Sequence, residues 1–216
     1  MDESVGWQRG PDGRPLNLPN AITVVRTIAG VSLAVAAIIQ ASVWLAVAAY
    51  LSYWIGDVLD GLAARLLKQE TRFGAVFDIV SDRACASLCV AALLVLKPNA
   101  AVPCAIFLFE FLVIDCQLSL AFLRWPLLSP NYFYLVHKGV YRWNWWPPAK
   151  VLNTTAIAVL VLVFDSPWYA VALAVPVTVV KVWSLVVVSR LPSPGVDSPG
   201  GSADLDAAPV RPGVGA

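Results

Sequence analysis

Six long apolar runs occupy most of the chain and restrict what it can fold into. They lie at residues 21–40, 43–67, 74–96, 101–123, 151–164 and 168–188. A helix that crosses a bilayer needs about 20 mostly apolar residues, so the short fifth run predicts a helix that begins before Lys150. Hydrophobic residues make up 59% of the 216 positions, whereas a soluble domain is about 45 to 50% apolar. The sequence therefore predicts an integral membrane protein, and nothing in it supports nucleic-acid binding.

Four aspartates interrupt the second and third runs. Asp57, Asp60, Asp78 and Asp82 lie within 26 residues of otherwise largely apolar sequence. A charged side chain at the bilayer centre costs about 2.5 to 3.5 kcal/mol on insertion scales, so such residues usually face a cavity, a cation or a substrate. Helical residues three or four apart share a face, and the polar segment LLKQETRFG reads as a turn between the two helices. We expect two adjacent helices to offer two carboxylates each to one shared point.

These carboxylates indicate a divalent metal and phosphoryl chemistry. Oxygen-only ligands suit hard cations such as Mg2+ or Mn2+, and Mg2+ usually completes its shell with water and substrate phosphates. We expect Mg2+ or Mn2+, as two ions. Gly61, Ala64 and Gly74 would let a ligand approach the backbone closely, and Arg65 would hold a phosphate oxygen. Acidic residues that are merely solvated at helix ends would not explain these small residues and the arginine.

The same stretch resembles the signature of the CDP-alcohol phosphatidyltransferases, Asp-x2-Asp-Gly-x2-Ala-Arg-x8-Gly-x3-Asp-x3-Asp. All eight specified positions are present, at Asp57, Asp60, Gly61, Ala64, Arg65, Gly74, Asp78 and Asp82. The N-terminal pattern Asn-x-Pro-Asn-x-x-Thr-x-x-Arg, from Asn17 to Arg26, is similar to that of the phosphatidylglycerolphosphate synthase and cardiolipin synthase branch. The resemblance covers residues 17–190.

The resemblance implies an all-α homodimer with six transmembrane helices around a polar cavity open to the cytoplasm. The implied reaction is attack of an acceptor hydroxyl on the lipid-proximal phosphate of CDP-diacylglycerol, with release of CMP. It assigns Asp57, Asp60 and Asp78 as metal ligands, and Asp82 as a further ligand and the general base. The CDP site is assigned to Gly61, Ala64, Arg65 and Gly74.

The acceptor is chosen from the basic residues and the N-terminal pattern. Arg26, Lys150, Lys181 and Arg190 are candidates to receive an anionic acceptor, and glycerol 3-phosphate is the expected one. Inositol phosphate, phosphatidylglycerol and serine stay open. The segment PAK-x-x-NTT resembles the Gly-Lys-x-Lys-Thr opening of the fifth helix in the family, but Leu152 and Asn153 replace the second lysine and the threonine.

Other polar residues in or near the apolar runs have structural interpretations. We expect Glu110, Asp115 and Gln117 to face basic groups such as Arg26 or Lys181 inside the bundle. Asn20 is the expected N-cap of the first helix, with Pro19 at its entry. The loop SPNYFYLVHKGVYRWNWWPP is expected to anchor the chain at the membrane interface, because aromatic and basic residues concentrate there.

Charge distribution predicts the orientation. With the N-terminus inside, eleven lysines and arginines flank the cytoplasmic ends and Lys97 lies outside, as the positive-inside rule requires. Residues 1–20 would be a cytoplasmic or interfacial segment, 21–190 the six-helix domain, and 191–216 a disordered tail rich in Pro, Gly and Ser. The protein would lie in the cell membrane, with both termini and the active site cytoplasmic.

A different class is a catalytically silent membrane scaffold or lipid carrier that kept the fold. Four aspartates in apolar surroundings argue against it, because they are costly without a charged ligand. A transporter is a further alternative. It would need a continuous polar path, and the face opposite the motif offers little beyond Lys97 and Asp165.

Overall fold

The computed structural model describes Gly6, residues 15–164 and residues 166–192, and these residues form helices and loops without a β-strand. The α-helices are α1 (Leu18–Gln40), α2 (Val43–Leu66), α3 (Arg72–Leu96), α4 (Ala101–Phe109), α5 (Cys116–Leu120), α6 (Lys138–Asn144), α7 (Pro147–Val163) and α8 (Trp168–Arg190). A π-helical segment, Glu110–Asp115, joins α4 to α5. Short 3-10 helices cover Pro98–Ala100, Ala121–Arg124 and Pro130–Leu135. Asp165, most of the N-terminal segment and nearly all of the predicted tail lie outside the described residues.

Within the described residues, five helical stretches are long and apolar enough to cross a membrane, at residues 18–40, 72–96, 98–124, 138–163 and 168–190. This confirms the all-helical membrane architecture. Helix α2 has 24 residues but is not one of the five, since it carries Asp57, Asp60 and Arg65 in its second half. The sixth span therefore stays a prediction. Helix α7 begins at Pro147, so the prediction that the fifth run starts before Lys150 is confirmed.

Small residues let α1 pack closely on α2 and α3. The buried positions of α1 include Gly30, Ala34 and Ala37. The tightest approach is at Gly56 of α2, where an added Cβ would lie 2.4 Å from Cβ of Arg26. A glycine at this position gives the Arg26 side chain the room to cross from α1 beneath α2.

The N-terminus of α1 differs from the prediction. Asn17 is the N-cap, because its side-chain oxygen accepts a hydrogen bond from the backbone N–H of Asn20 at 2.9 Å; the assignment of Asn20 as N-cap was wrong. Asn20 is instead buried, and its Nδ2 donates to the carbonyl of Pro15 at 2.7 Å. A Cβ on Gly74 would lie only 2.8 Å from Asn20 Oδ1, so the absence of a side chain at Gly74 lets the start of α1 approach the start of α3 closely.

The aromatic loop between α5 and α7 has a packing role as well as an exposed face. Phe133, Val140 and Trp145 are buried in one apolar cluster with Phe122 and Trp125. Trp143 and Trp146 are exposed over 55% and 46% of their surface. The exposed tryptophans suit the predicted interfacial anchor, whereas the buried residues attach the loop to α3 and α8.

We predict that Gly56→Ala destabilises the protein and that Gly30→Ala does not. The new methyl group at position 56 would overlap Cβ of Arg26, an atom that only a backbone shift can move, and overpacking of this kind costs about 1 to 3 kcal/mol. At Gly30 the nearest atom is Cys85 Sγ at 3.4 Å, an ordinary contact. Thermal unfolding of both variants in the same detergent is the measurement. Equal midpoints would contradict the close approach of α1 and α2.

Candidate active site

One cavity of about 200 Å3 contains most of the residues that the sequence singles out. It is lined by all four aspartates and by Gly61, Ala64, Arg65, Gly74, Lys150 and Lys181. The turn LLKQETRFG brings the second half of α2 beside the first half of α3, as expected. Arg26 and Arg190 are not among the lining residues. The structure thus brings together the predicted metal and CDP residues, with part of the predicted acceptor set.

Three of the four carboxylates form a compact group. Asp57, Asp60 and Asp78 each offer an oxygen atom, and these atoms lie within 4.8 Å of one another. Asp60 is buried, and its Oδ2 accepts a hydrogen bond from Thr23 Oγ1 at 2.7 Å. Asp82 lies outside this group but lines the same cavity. Its position one turn beyond Asp78 follows from the four-residue spacing on α3.

The Arg26 guanidinium lies among all four carboxylates. Its Nε donates to Asp60 Oδ2 at 2.7 Å. Its Nη2 contacts Asp78, and lies 3.1 Å from Asp82 Oδ1 and 3.6 Å from Asp57 Oδ1. Among the described residues, Arg26 is the cation that pairs with these aspartates. It is 97% buried, since its relative exposure is 3%, so it acts as an internal counter-ion below the cavity.

The carboxylate group fits a hard divalent cation. All of its donors are oxygen atoms, the set that Mg2+ and Mn2+ prefer. Four carboxylates face one guanidinium, which leaves an excess of negative charge. The side chains of Asp57 and Asp78 are 34% and 37% exposed, so a cation with water and phosphate ligands has access from the cavity. Asp57, Asp60 and Asp78 would hold the cation. Asp82 lines the same cavity and would lie near it.

Arg65 and the small residues form one wall of the cavity. A Cβ on Gly61 would lie 3.4 Å from Arg65 Nη1, which shows that the guanidinium lies across Gly61. At the rim, Tyr132 donates a hydrogen bond to Glu70 Oε2 at 2.7 Å. Burial, and then this carboxylate, raise the pKa of the Tyr132 hydroxyl above its ordinary value. The contact joins the α2–α3 turn to the aromatic loop.

A second group of charged residues, the Asp115 cluster, consists of Arg83, Glu110, Asp115 and Lys181. Arg83 Nη2 donates to Asp115 Oδ2 at 2.5 Å, and Lys181 contacts Asp115 Oδ1. Lys181 Nζ also lies 3.6 Å from Glu110 Oε1. Glu110, Asp115 and Lys181 are each at most 6% exposed. The prediction that Glu110 and Asp115 face Lys181 is confirmed, whereas Gln117 is exposed.

The four predicted acceptor residues occupy different places. Arg26 pairs with the aspartates, and Lys181 belongs to the Asp115 cluster. Lys150 lines the cavity and is exposed. Arg190 is exposed at the end of α8 and does not line the cavity. The basic residues therefore do not form one shared anion pocket.

Some site residues lacked a readable signal in the sequence. Thr23 was noted only within the N-terminal pattern, although its spacing of three from Arg26 places both on the face that meets Asp60. Asn144 lies in the aromatic loop, where nothing marked it. Its Nδ2 donates to Val140 O at 2.7 Å and to Ser184 Oγ at 2.9 Å, and Asn144 lines the cavity.

Comparison with known proteins gives short matches to two kinds of enzyme. A Cereibacter sphaeroides protein named CDP-diacylglycerol–glycerol-3-phosphate 3-phosphatidyltransferase is 35% identical over 71 residues, which is 32% of each chain. Rat and mouse proteins named CDP-diacylglycerol–inositol 3-phosphatidyltransferase are 51% identical over 41 residues, 19% of each chain. The matches thus span about a third and a fifth of these relatives. No solved structure matches the chain.

A family model covers far more of the sequence than these local matches. The model of the CDP-alcohol phosphatidyltransferases matches residues 16–180. This range includes α1, the aspartate motif, most of α8 and the Asp115 cluster except Lys181. This range confirms the resemblance drawn from the motif alone. The chain belongs to the CDP-alcohol phosphatidyltransferase family.

Proposed function

We propose that the protein transfers a phosphatidyl group from CDP-diacylglycerol to the hydroxyl of a small alcohol and releases CMP. The observation that carries this proposal is the grouping of Asp57, Asp60 and Asp78 within 4.8 Å, with Asp82 apart from them at the same cavity. That arrangement supplies a cation site for a pyrophosphate and a separate carboxylate for a proton. A non-catalytic scaffold would need neither.

A lipid donor is supported by a second, nearly apolar cavity. It has a volume of about 180 Å3 and lies among α2, α3, α4 and α7. Tyr53, Phe111 and Thr154 line both cavities, so the polar site continues directly into apolar surroundings. A substrate with a charged nucleotide and apolar chains needs both environments.

In the proposed mechanism each group of residues has one task. A divalent cation, when bound, neutralises the pyrophosphate and polarises its oxygens. Asp57, Asp60 and Asp78 would hold that cation, while Arg65 and the cavity wall that contains Gly61, Ala64 and Gly74 would receive the nucleotide. Asp82 accepts the proton of the acceptor hydroxyl as its oxygen bonds to the lipid-proximal phosphorus. The bond from that phosphorus to the CMP oxygen then breaks, and CMP leaves.

The acceptor has two candidate classes. Glycerol 3-phosphate is favoured by the N-terminal pattern, by exposed Lys150 at the cavity and by the name of the Cereibacter relative. An uncharged polyol is favoured by a specific observation, the pairing of Lys181 and Arg83 with Asp115, and by the name of the rat and mouse relatives. Cytoplasmic orientation of the cavity in the cell membrane, a sixth span at α2 and a homodimer belong to the same proposal.

The first prediction from the proposed function is metal-dependent release of CMP. Purified protein with CDP-diacylglycerol and an alcohol acceptor should release CMP in Mg2+ or Mn2+, and a chelator should abolish the release because the carboxylates then lack the charge that neutralises pyrophosphate. Detection of CMP and of the new phospholipid in the same reaction is the measurement. Folded protein that releases no CMP with any acceptor, in either metal, would point to the scaffold alternative.

The second prediction separates Asp82 from the cation ligands. Asp82→Asn should lower the turnover rate by about a hundredfold or more, since a general base contributes about 10^2 to 10^4, while it retains much of the binding of CDP-diacylglycerol. Asp57→Asn is the matched variant and should weaken both. Rates come from CMP release, and binding from equilibrium titration. Substantial turnover by Asp82→Asn would refute its role as base.

The third prediction concerns Arg26, which the structure places with the aspartates. Arg26→Gln should lower the thermal midpoint in metal-free buffer by roughly 10 °C, because removal of one partner from a buried charge network costs about 3 to 5 kcal/mol. Added Mg2+ should recover part of the loss by neutralising the same carboxylates. Arg190→Gln, at an exposed helix end, is the control.

The competing assignment of Arg26 as an acceptor-binding residue gives a different result. In that case the metal-free midpoint would stay unchanged, and only the KM for the acceptor would rise. The pair of measurements therefore decides between the two roles.

A further inference from the structure

We propose that the acceptor is an uncharged polyol, and that Asp115 is the specificity-determining residue that disfavours phosphorylated acceptors. This inference rests on the proposed function, since it concerns the alcohol substrate of the same cavity. It starts from the Asp115 cluster, whose members Arg83, Asp115 and Lys181 line the cavity but have no role in holding the cation or the nucleotide.

The cations of this cluster already have anionic partners. Asp115 contacts Lys181 through Oδ1 and accepts from Arg83 through Oδ2 at 2.5 Å, and Glu110 adds a second carboxylate 3.6 Å from Lys181. Two cations thus face two carboxylates, and the cluster has no excess positive charge to attract a phosphate. A phosphate that reached Lys181 or Arg83 would have to displace Asp115 and leave its carboxylate buried without a partner, which is strongly unfavourable.

The other basic residues near the cavity do not replace them. Arg26 lies below the cavity with the four aspartates, and Arg190 lies away from it. Arg65 lies across Gly61, on the wall that the nucleotide is proposed to occupy. Lys150 lines the cavity from an exposed position, where a charge pair is worth little because water screens it.

Two residues that line the cavity carry a polar atom suited to a hydroxyl group. Asn144 is 3% exposed, and its Nδ2 must be the atom that donates to Val140 O, because a carbonyl only accepts. Its Oδ1 has no hydrogen-bond partner among the described residues, and neither has Arg83 Nε. One needs a donor and the other an acceptor. A hydroxyl group can serve as either, whereas a fully ionised phosphate has no proton to donate to the Asn144 oxygen.

The test compares matched acceptors on the full chain. Glycerol is paired with glycerol 3-phosphate, and myo-inositol with its monophosphate, in the CMP-release assay with CDP-diacylglycerol and Mg2+. We expect the uncharged member of at least one pair to have a kcat/KM about tenfold or more above that of its phosphorylated partner, as a close charge interaction typically gives. A preference for the uncharged member below about tenfold in both pairs, which includes equal kcat/KM and preference for the phosphorylated member, overturns the proposal.

The same assay separates this inference from the proposed function. Release of CMP with phosphorylated acceptors alone overturns the acceptor class but keeps phosphatidyl transfer. Absence of release with all four acceptors overturns phosphatidyl transfer to small alcohols, and the acceptor inference falls with it.

Asp115→Asn tests the specificity role directly. The change leaves Lys181 and Arg83 with a neutral partner, so the kcat/KM of the phosphorylated acceptor relative to the uncharged one should rise about tenfold. The ratio within one preparation is independent of the folded fraction. Gln117→Ala, two residues on and exposed, should leave the ratio unchanged. An unchanged ratio in folded Asp115→Asn overturns the role of Asp115.

Glu110→Gln provides a second variant should Asp115→Asn fail to fold. It removes one anionic neighbour of Lys181 and leaves Asp115 in place, so the ratio should move in the same direction by a smaller factor. An unchanged ratio in folded Glu110→Gln, or a shift toward the uncharged acceptor, would equally overturn the proposal.

Discussion

The contact between the Arg26 guanidinium and four aspartates holds helices α1, α2 and α3 together. Four carboxylates from α2 and α3 would repel one another in apolar surroundings, and a charge there is tolerated only with a partner. Arg26 supplies that partner from α1, in hydrogen bonds or ion pairs to Asp57, Asp60, Asp78 and Asp82. This contact depends on the close packing of the helices, because the Arg26 side chain passes α2 at a glycine, Gly56, where a Cβ would lie 2.4 Å from Arg26 Cβ.

Two buried charge clusters give the cavity two different ends. The aspartate group has more negative than positive charge and two half-exposed carboxylates, so it attracts cations. The Asp115 cluster balances two cations against two carboxylates and attracts neither sign strongly. A cavity with this asymmetry would bind a metal-complexed pyrophosphate at one end and leave the other end to a neutral, hydrogen-bonding partner. Counting basic residues without their partners therefore overstates the positive charge that a substrate meets.

The sequence predicted what depends on local spacing and missed what depends on long-range pairing. The spacing of Asp57 with Asp60 and of Asp78 with Asp82 placed each pair on one helix face, and the short apolar run at 151–164 required an earlier helix start. Arg26 meets aspartates 31 to 56 residues away in the chain, so its partners were not readable. Asn17 and Asn20 are equally good N-caps by residue type, and only the backbone geometry distinguishes them.

Helix α3 connects the two clusters through adjacent residues. Consecutive residues on a helix point about 100° apart, so Asp82 faces Arg26 and the aspartate group while Arg83 faces Asp115. The proposed base thus lies at the boundary between the end that would hold the pyrophosphate and the end that would hold the alcohol. Asp82 would lie between a hydroxyl bound beside the Asp115 cluster and the phosphorus. Rotation of α3 by one residue would remove the contact of Asp82 with Arg26 and that of Arg83 with Asp115. The order Asp82–Arg83 would therefore couple placement of the proposed acceptor to placement of the proposed base.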